Sequence, residues 1–310
     1  MSQVLDLSVS AFIPASFSLS LPDDLTAEQL KSFPAFKTWI TALQRTLNSQ
    51  SSASHPFHSN PYSLHSITIQ ATDRFSGGRL GFIKLKADIR TSDNQTLPGS
   101  VFLRGGSVAM LLVLRPQGER TNLFGEDEEH VILTNQPRIP AGTFSFTEIP
   151  AGMLDDSGTF TGAAAKEIRE ETGITIEESE LIDMTSLALT ATTSAPGNED
   201  DEVLQNAIYP SPGGSDEFIP LFLARKTMSM SQINELQGKL TGLRDHGEKI
   251  TLRIVRKRDA WKVAGRDAKT LAALALYDGL KREGLLPGQH TQESTEEGTL
   301  FGTRKQEDKL

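Results

Sequence analysis

Seven consecutive apolar residues, VAMLLVL from Val108 to Leu114, set the first constraint on the fold. The run is far shorter than the roughly 20 residues needed to span a membrane. It also lacks the polar alternation of a half-buried strand, so it reads as a strand buried on both faces. SITIQATD and LGFIKLKADIRT, just upstream, do alternate, as half-buried strands should. HVILTNQPRIP, downstream, is a further strand ending at a proline.

Helical spacing occupies both ends of the chain. Leu25 to Leu47 has apolar residues at helical intervals, interrupted by Pro34. RDAKTLAALALYDGLKREG is an amphipathic helix, and ITLRIVRKRDAW is a strand entering a helix. Between them, ELIDMTSLALT and FIPLFLARK read as strands. SQINELQGKLTGLRDHGE is a helix or loop ending in a Gly-rich turn, and APGNEDDEVLQNA, Ala195 to Ala207, is a polar excursion. The mixture predicts an α/β or α+β protein with a β-rich N-terminal part. The expected division is an extension with one helical segment and a Ser-rich linker over 1–63, and a small β-rich domain over 64–105. A larger domain covers 106–285, and a disordered tail 286–310.

The formal charge of −9 gives no basic footprint for nucleic acid. It suits a protein that gathers divalent cations on carboxylates. The absence of cysteine excludes disulfides, thiolate metal sites and thiol nucleophiles. The N-terminus has neither the basic start of a secretory signal nor the arginines of a mitochondrial presequence. The terminal Asp-Lys-Leu matches a peroxisomal address only loosely. No membrane partner is expected, and the cytoplasm is the default compartment, with mitochondrial, nuclear and peroxisomal ones left open.

The chemistry concentrates in AGMLDDSGTFTGAAAKEIREETGI, Ala151 to Ile174. On a helix over Ala163 to Thr172, Glu167 and Glu171 stand one turn apart with Glu170 beside them. Like charges at that spacing destabilise a bare helix. A divalent cation reverses the penalty, and Mg²⁺ in particular combines carboxylates with substrate phosphates. Gly173 is placed to end the helix. Taken alone, such a charge run is better explained by a solvated helix face.

The segment resembles the Nudix box, G-x5-E-x7-R-E-U-x-E-E-x-G-U with U aliphatic. Gly152, Glu167, Ile168, Glu170, Glu171, Gly173 and Ile174 match in register. Lys166 replaces the arginine, keeping charge but not the bidentate fork. Gly158 replaces the first glutamate, with Asp155 and Asp156 nearby. The flanks TEIPAGMLDD, QPRIP and SPGGSDE resemble the ADP-ribose and ADP-sugar diphosphatase branch, most closely its plant-type ADP-sugar members. The likeness covers about Leu25 to Leu285, leaving out the insert near Asn198 to Gln205.

That resemblance implies a Nudix α/β/α sandwich preceded by a smaller β-rich domain, assembled as a homodimer with the N-terminal part at the interface. It implies Mg²⁺-dependent hydrolysis, with Mn²⁺ as an alternative ion, of ADP-ribose or ADP-glucose to AMP and a sugar phosphate. Glu167, Glu171 and Glu170 would bind metal, together with the Ala151 carbonyl. Glu248, Glu217 or Glu170 would serve catalysis, with Glu248 the first choice for orienting or deprotonating water. Arg138, Glu148 and Arg104 would contact substrate. The alternatives are another nucleoside diphosphate derivative, or a nucleotide-binding module of little turnover. Gly105 and Gly106 suit packing, RIVRKR a solvated strand edge, and Trp39 and Trp261 packing rather than adenine stacking. His246 receives no role.

Overall fold

The computed structural model describes residues 2–4, 17–118, 128–154, 159–192, 204–243 and 248–287. Asp155, Asp156, Gly158, His246, residues 198–203 of the insert and residues 288–310 of the tail lie outside the described residues.

The chain opens with β1 (Ser2–Val4), β2 (Ser18–Ser20), α1 (Ala27–Ser32) and α2 (Pro34–Ser49). Three strands follow: β3 (Ser63–Arg74), β4 (Leu80–Arg90) and β5 (Ser100–Leu103). They form a five-stranded sheet in the order β1-β2-β3-β4-β5, antiparallel except between β2 and β3. Pro34 does interrupt the first helical segment, but productively. Phe33 ends α1 and leads into α2, whose N1 position suits a proline because that amide has no helical acceptor. The alternation read in β3 and β4 places Ile67, Ile69, Ile83 and Leu85 inward, against Leu30, Phe36 and Ile40 of the helices. The helices and strands up to Leu103 therefore share one core.

The second sheet begins with β6 (Ser107–Pro116), β7 (His130–Arg138), β8 (Thr143–Glu148) and β9 (Ala151–Met153). Then come α3 (Phe160–Thr172), β10 (Ile182–Asp183), α4 (Met184–Thr192), β11 (Leu221–Met228) and α5 (Met230–Leu236). The order ends with β12 (Leu240–Thr241), β13 (Ile250–Arg256), α6 (Lys257–Val263) and α7 (Ala268–Arg282). The sheet runs β10-β11-β6-β7-β13-β12.

The apolar run of β6 explains the layering. Ala109, Leu111 and Val113 pack with α6 and α7 residues such as Ala260, Ala273 and Tyr277. Val108, Met110, Leu112 and Leu114 pack with Ala164 and Ile168 of α3 and Ile233 of α5 on the opposite face. The result is an α/β/α sandwich, as the unbroken hydrophobic strand requires. A buried ionic contact pins α7: Tyr277 donates to Glu129 at 2.7 Å, and Arg115 donates to the same oxygen at 2.9 Å.

The sheet forks beside the future site. β7 pairs with β6 only at Val131 and His130. Beyond that, β7 turns to pair with β8, and β9 takes its place against Ser107–Ala109 of β6. The Nudix-like segment therefore starts inside the fork.

ELIDMTSLALT is not a strand. Only Ile182 and Asp183 pair, and α4 follows. Met184, Leu187 and Ala188 have helical spacing and pack against the core, while Asp183 accepts the Ser186 amide at 2.9 Å and so caps the helix. Trp261 is also not a core residue, being 56% exposed, whereas Trp39 does pack on the first core. RIVRKR is a solvated strand edge only in part: Arg253 and Arg256 are exposed, but β13 pairs with β7 over Thr251–Arg256, Gln237 accepts the Ile254 amide on its other side, and Lys257 and Arg258 open α6.

Candidate active site

α3 holds the glutamates. Thr159 caps it by accepting the Gly162 amide at 3.0 Å, and Gly173 closes it in the left-handed conformation at φ 73°. Ala164 and Ile168 fix the helix on the sheet, which turns Glu171 inward until only 1% of it is exposed. One Glu171 oxygen accepts the Ala151 amide at 3.1 Å. The Ala151 amide thus joins the start of β9 to a box glutamate.

The Glu171 carbonyl accepts the Thr241 hydroxyl at 2.5 Å, and the half-buried Glu170 gives its carbonyl to the Gly242 amide at 3.2 Å. These two bonds tie β12 to the helix end and bring Glu248 into the same neighbourhood. Burial pushes the Glu171 carboxyl well above the ordinary range. Glu167 and Glu248 push it further, the Ala151 amide opposes them, and Glu148 adds a smaller upward effect. Four carboxylates therefore bear on one another, two from α3, one from the end of β8 and one from the segment before β13.

Gly152 completes the cradle. A Cβ there would coincide with the Glu167 carboxyl group, so the absent side chain is where that carboxylate lies. Buried, mutually repelling carboxylates with hard oxygen donors fit a divalent cation such as Mg²⁺. Among the described residues no three acidic, His or Cys side chains form a finished metal cage. Glu171 is instead turned to the Ala151 amide, and Glu248 to the Leu243 amide at 2.8 Å.

Arg138 and Glu148 stand together on β7 and β8. Arg138 Nε donates to Glu148 Oε1 at 2.6 Å, and Lys269 donates to the other oxygen. With Glu148 2% exposed and both oxygens engaged, its present work is to hold Arg138. Arg104 is bound differently. Its guanidinium pairs with Glu217 at 3.2 Å, while Ser107 donates to the same Glu217 oxygen at 3.1 Å. Asp216 accepts the Arg104 amide at 2.7 Å and the Gly105 amide at 3.1 Å. SPGGSDE therefore clamps the turn that joins the two sheets, and Glu217 is committed to that clamp rather than to the Glu171 neighbourhood. Gly106 serves packing: an added Cβ would lie 2.5 Å from the Phe218 ring.

A cleft of about 1370 Å³ separates the two sheets. Arg74, Phe75 and Arg79 of the β3–β4 turn line one wall, and Arg104, Lys166 and Glu248 line the other. Glu248 is both a cleft residue and a neighbour of Glu171, so the carboxylate cluster opens onto a basic cleft. Sequence reasoning missed this first wall, together with Asp216, Lys269, Asp267 and Thr270. RDAKT did carry one signal, an aspartate at a helix start, and Asp267 is the N-cap of α7. Lys269 finds its partner Glu148 121 residues away, beyond any local pattern.

Residues 117–237 match the family described as NUDIX domain. The chain is 38% identical over 256 residues to Nudix hydrolase 14, chloroplastic, of Arabidopsis thaliana, covering 82% of this chain and 73% of the relative. It is 27% identical over 175 residues to ADP-ribose pyrophosphatase of Bacillus subtilis (strain 168), covering 56% of this chain and 79% of the relative. A crystal structure described as that of an ADP compounds hydrolase aligns with 73% of this chain and 97% of its own, at 13% identity and a TM-score of 0.46. The long, well-covered match to the Arabidopsis enzyme and the box glutamates gathered on α3 lead to one assignment: this chain belongs to the Nudix hydrolase family.

Proposed function

We propose that this Nudix hydrolase cleaves the diphosphate of ADP-sugars, with ADP-ribose and ADP-glucose the first candidates, in a Mg²⁺-dependent reaction giving AMP and a sugar phosphate. The observation that carries the reading is the Glu171-centred carboxylate cluster opening onto a cleft lined by Arg74, Arg79, Arg104 and Lys166. Cationic walls attract a diphosphate, and a cluster of carboxylates attracts the cation that accompanies it. The printed name of the Bacillus relative concerns ADP-ribose, which is the same substrate class.

When bound, a divalent cation supplies charge neutralisation at the phosphates. Glu167 and Glu171 are the residues to hold it, with Glu170 beside them. Glu248 faces the cleft and takes the proton of the attacking water. The water oxygen forms a bond to one phosphorus, and the bridging P–O bond breaks to release the two phosphate monoesters. Arg138 binds the diphosphate, held in position by Glu148.

The test is AMP release from ADP-ribose and ADP-glucose, each with Mg²⁺ and with EDTA. AMP from at least one, lost in EDTA, is the expected result. Folded protein that yields no AMP from either would defeat the ADP-sugar reading. We further propose a homodimer, for which light scattering should return twice the 33.8 kDa chain mass; a monomer at assay concentration would rule it out.

A further inference from the structure

Lys269 is unusual for its place. Lysine is seldom buried, and a helix N-terminus disfavours cations because it is the positive pole. Yet Lys269 lies in the first turn of α7, two residues past the N-cap Asp267, with 11% of its side chain exposed. Its Nζ donates to Glu148 Oε2 and, at 2.9 Å, to Asp267 Oδ1. Asp267 is itself held, because its other oxygen accepts the Thr270 amide at 3.1 Å and the Thr270 hydroxyl. The Thr270 hydroxyl oxygen accepts the Ile149 amide at 3.0 Å, one residue past Glu148. The start of α7 thus grips the strand end that carries Glu148.

The consequence lies in how Arg138 is bound. A buried carboxylate facing a guanidinium tends to close into a two-bond fork that engages two of its nitrogens. Here Lys269 occupies Oε2, and Arg138 reaches Oε1 through Nε. The terminal nitrogens take no part in that bond, and the terminal pair of a guanidinium is a fork able to bind a phosphate bidentately.

We propose that Lys269 is a positioning residue for substrate binding: anchored by Asp267, it fixes Glu148 and prevents Arg138 from closing onto that carboxylate. The proposal rests on the reading of Arg138 as a diphosphate contact. Without Lys269, both Glu148 oxygens are open to Arg138, and the guanidinium is drawn away from the substrate.

The experiment is a double-mutant cycle of Lys269→Met and Arg138→Lys, with Lys269→Arg as the conservative variant, assayed on whichever nucleoside diphosphate derivative the wild type hydrolyses. Lys269→Met should raise KM about 10–100-fold, the usual size of losing a supporting contact behind a ligand-binding group, with kcat nearly unchanged. Lys269→Arg should restore most of the loss. In the Arg138→Lys background Lys269→Met should add little, because the residue it acts through is gone. Additive effects, or an unchanged KM, would overturn the proposal. If Lys269→Met does not fold, Lys269→Gln takes its place, keeping a donor without the charge. A second readout is independent of turnover: the NMR resonance of the Arg138 Nε–H. It should move in Lys269→Met and return in Lys269→Arg, and an unmoved resonance also defeats the proposal. Wild type that hydrolyses no ADP-sugar would fault the functional reading instead, and the resonance would still decide the role of Lys269.

Discussion

Replacing Glu171 with glutamine is expected to cut kcat/KM by about 10²–10³-fold, the size of losing one preorganised electrostatic contact, and to raise the melting temperature of the metal-free protein. The two effects have one origin. Glu171 is almost wholly buried, and Glu167, Glu248 and Glu148 all disfavour its charge. The amide of glutamine keeps an oxygen for the Ala151 N–H and removes the charge. The folded-state carboxyl titrates above its unfolded value, so folding binds its proton more tightly. The stability it contributes is present below the ordinary carboxylate range and is lost as pH rises through the raised folded value. The gap between variant and wild type should therefore widen with rising pH over that window, each kcal/mol appearing as about 2–4 °C. Mg²⁺ should reverse the order by stabilising the wild type in proportion to its occupancy, with a smaller gain for the variant. Calorimetric melts at several pH values, with EDTA or Mg²⁺, test this. A metal-free wild type that melts above Glu171→Gln on the alkaline side would refute the account.

What could be read in the sequence follows the range of the interactions. VAMLLVL announces a strand covered on both faces because its residues report their own burial, and β6 is covered by α6 and α7 on one side and α3 and α5 on the other. The α3 glutamates and Gly173 were legible because helical periodicity and a left-handed C-terminus are local properties. ELIDMTSLALT misled because Thr and Ser weaken the helical signal, although the spacing of Met184, Leu187 and Ala188 was already present. The partners of the site residues were beyond reach. Glu217 is engaged by Arg104, Glu148 by Lys269, and Asp216 by the Arg104 and Gly105 amides, each across more than a hundred residues. Whether a glutamate activates water or merely holds an arginine depends on those partners, and tertiary folding alone supplies them.

Gly152→Ala should remove at least about 10²-fold of activity, the size of effect that a misplacement near 1 Å produces at a reacting centre, while leaving the fold nearly as stable as before. The added carbon would coincide with the Glu167 carboxyl group and must displace it. That group is the far end of a flexible side chain, so the backbone need not move. Gly152 lies in β9 opposite Val108, and its φ is outside the left-handed region, so alanine fits the strand without strain. Gly→Ala at a compatible position can even stabilise slightly through the unfolded chain. Gly106→Ala is the matched control. There the same carbon would meet the Phe218 ring at 2.5 Å and Leu154 at 2.7 Å, so overpacking should cost about 1–3 kcal/mol. Activity assays and thermal melts on both variants separate the two cases. Should Gly152→Ala keep wild-type turnover, Glu167 does not need its present place beside Gly152, and its assignment as a metal ligand fails. Should it lose stability as Gly106→Ala does, the glycine serves packing, and the identity of residue 152 says nothing about metal.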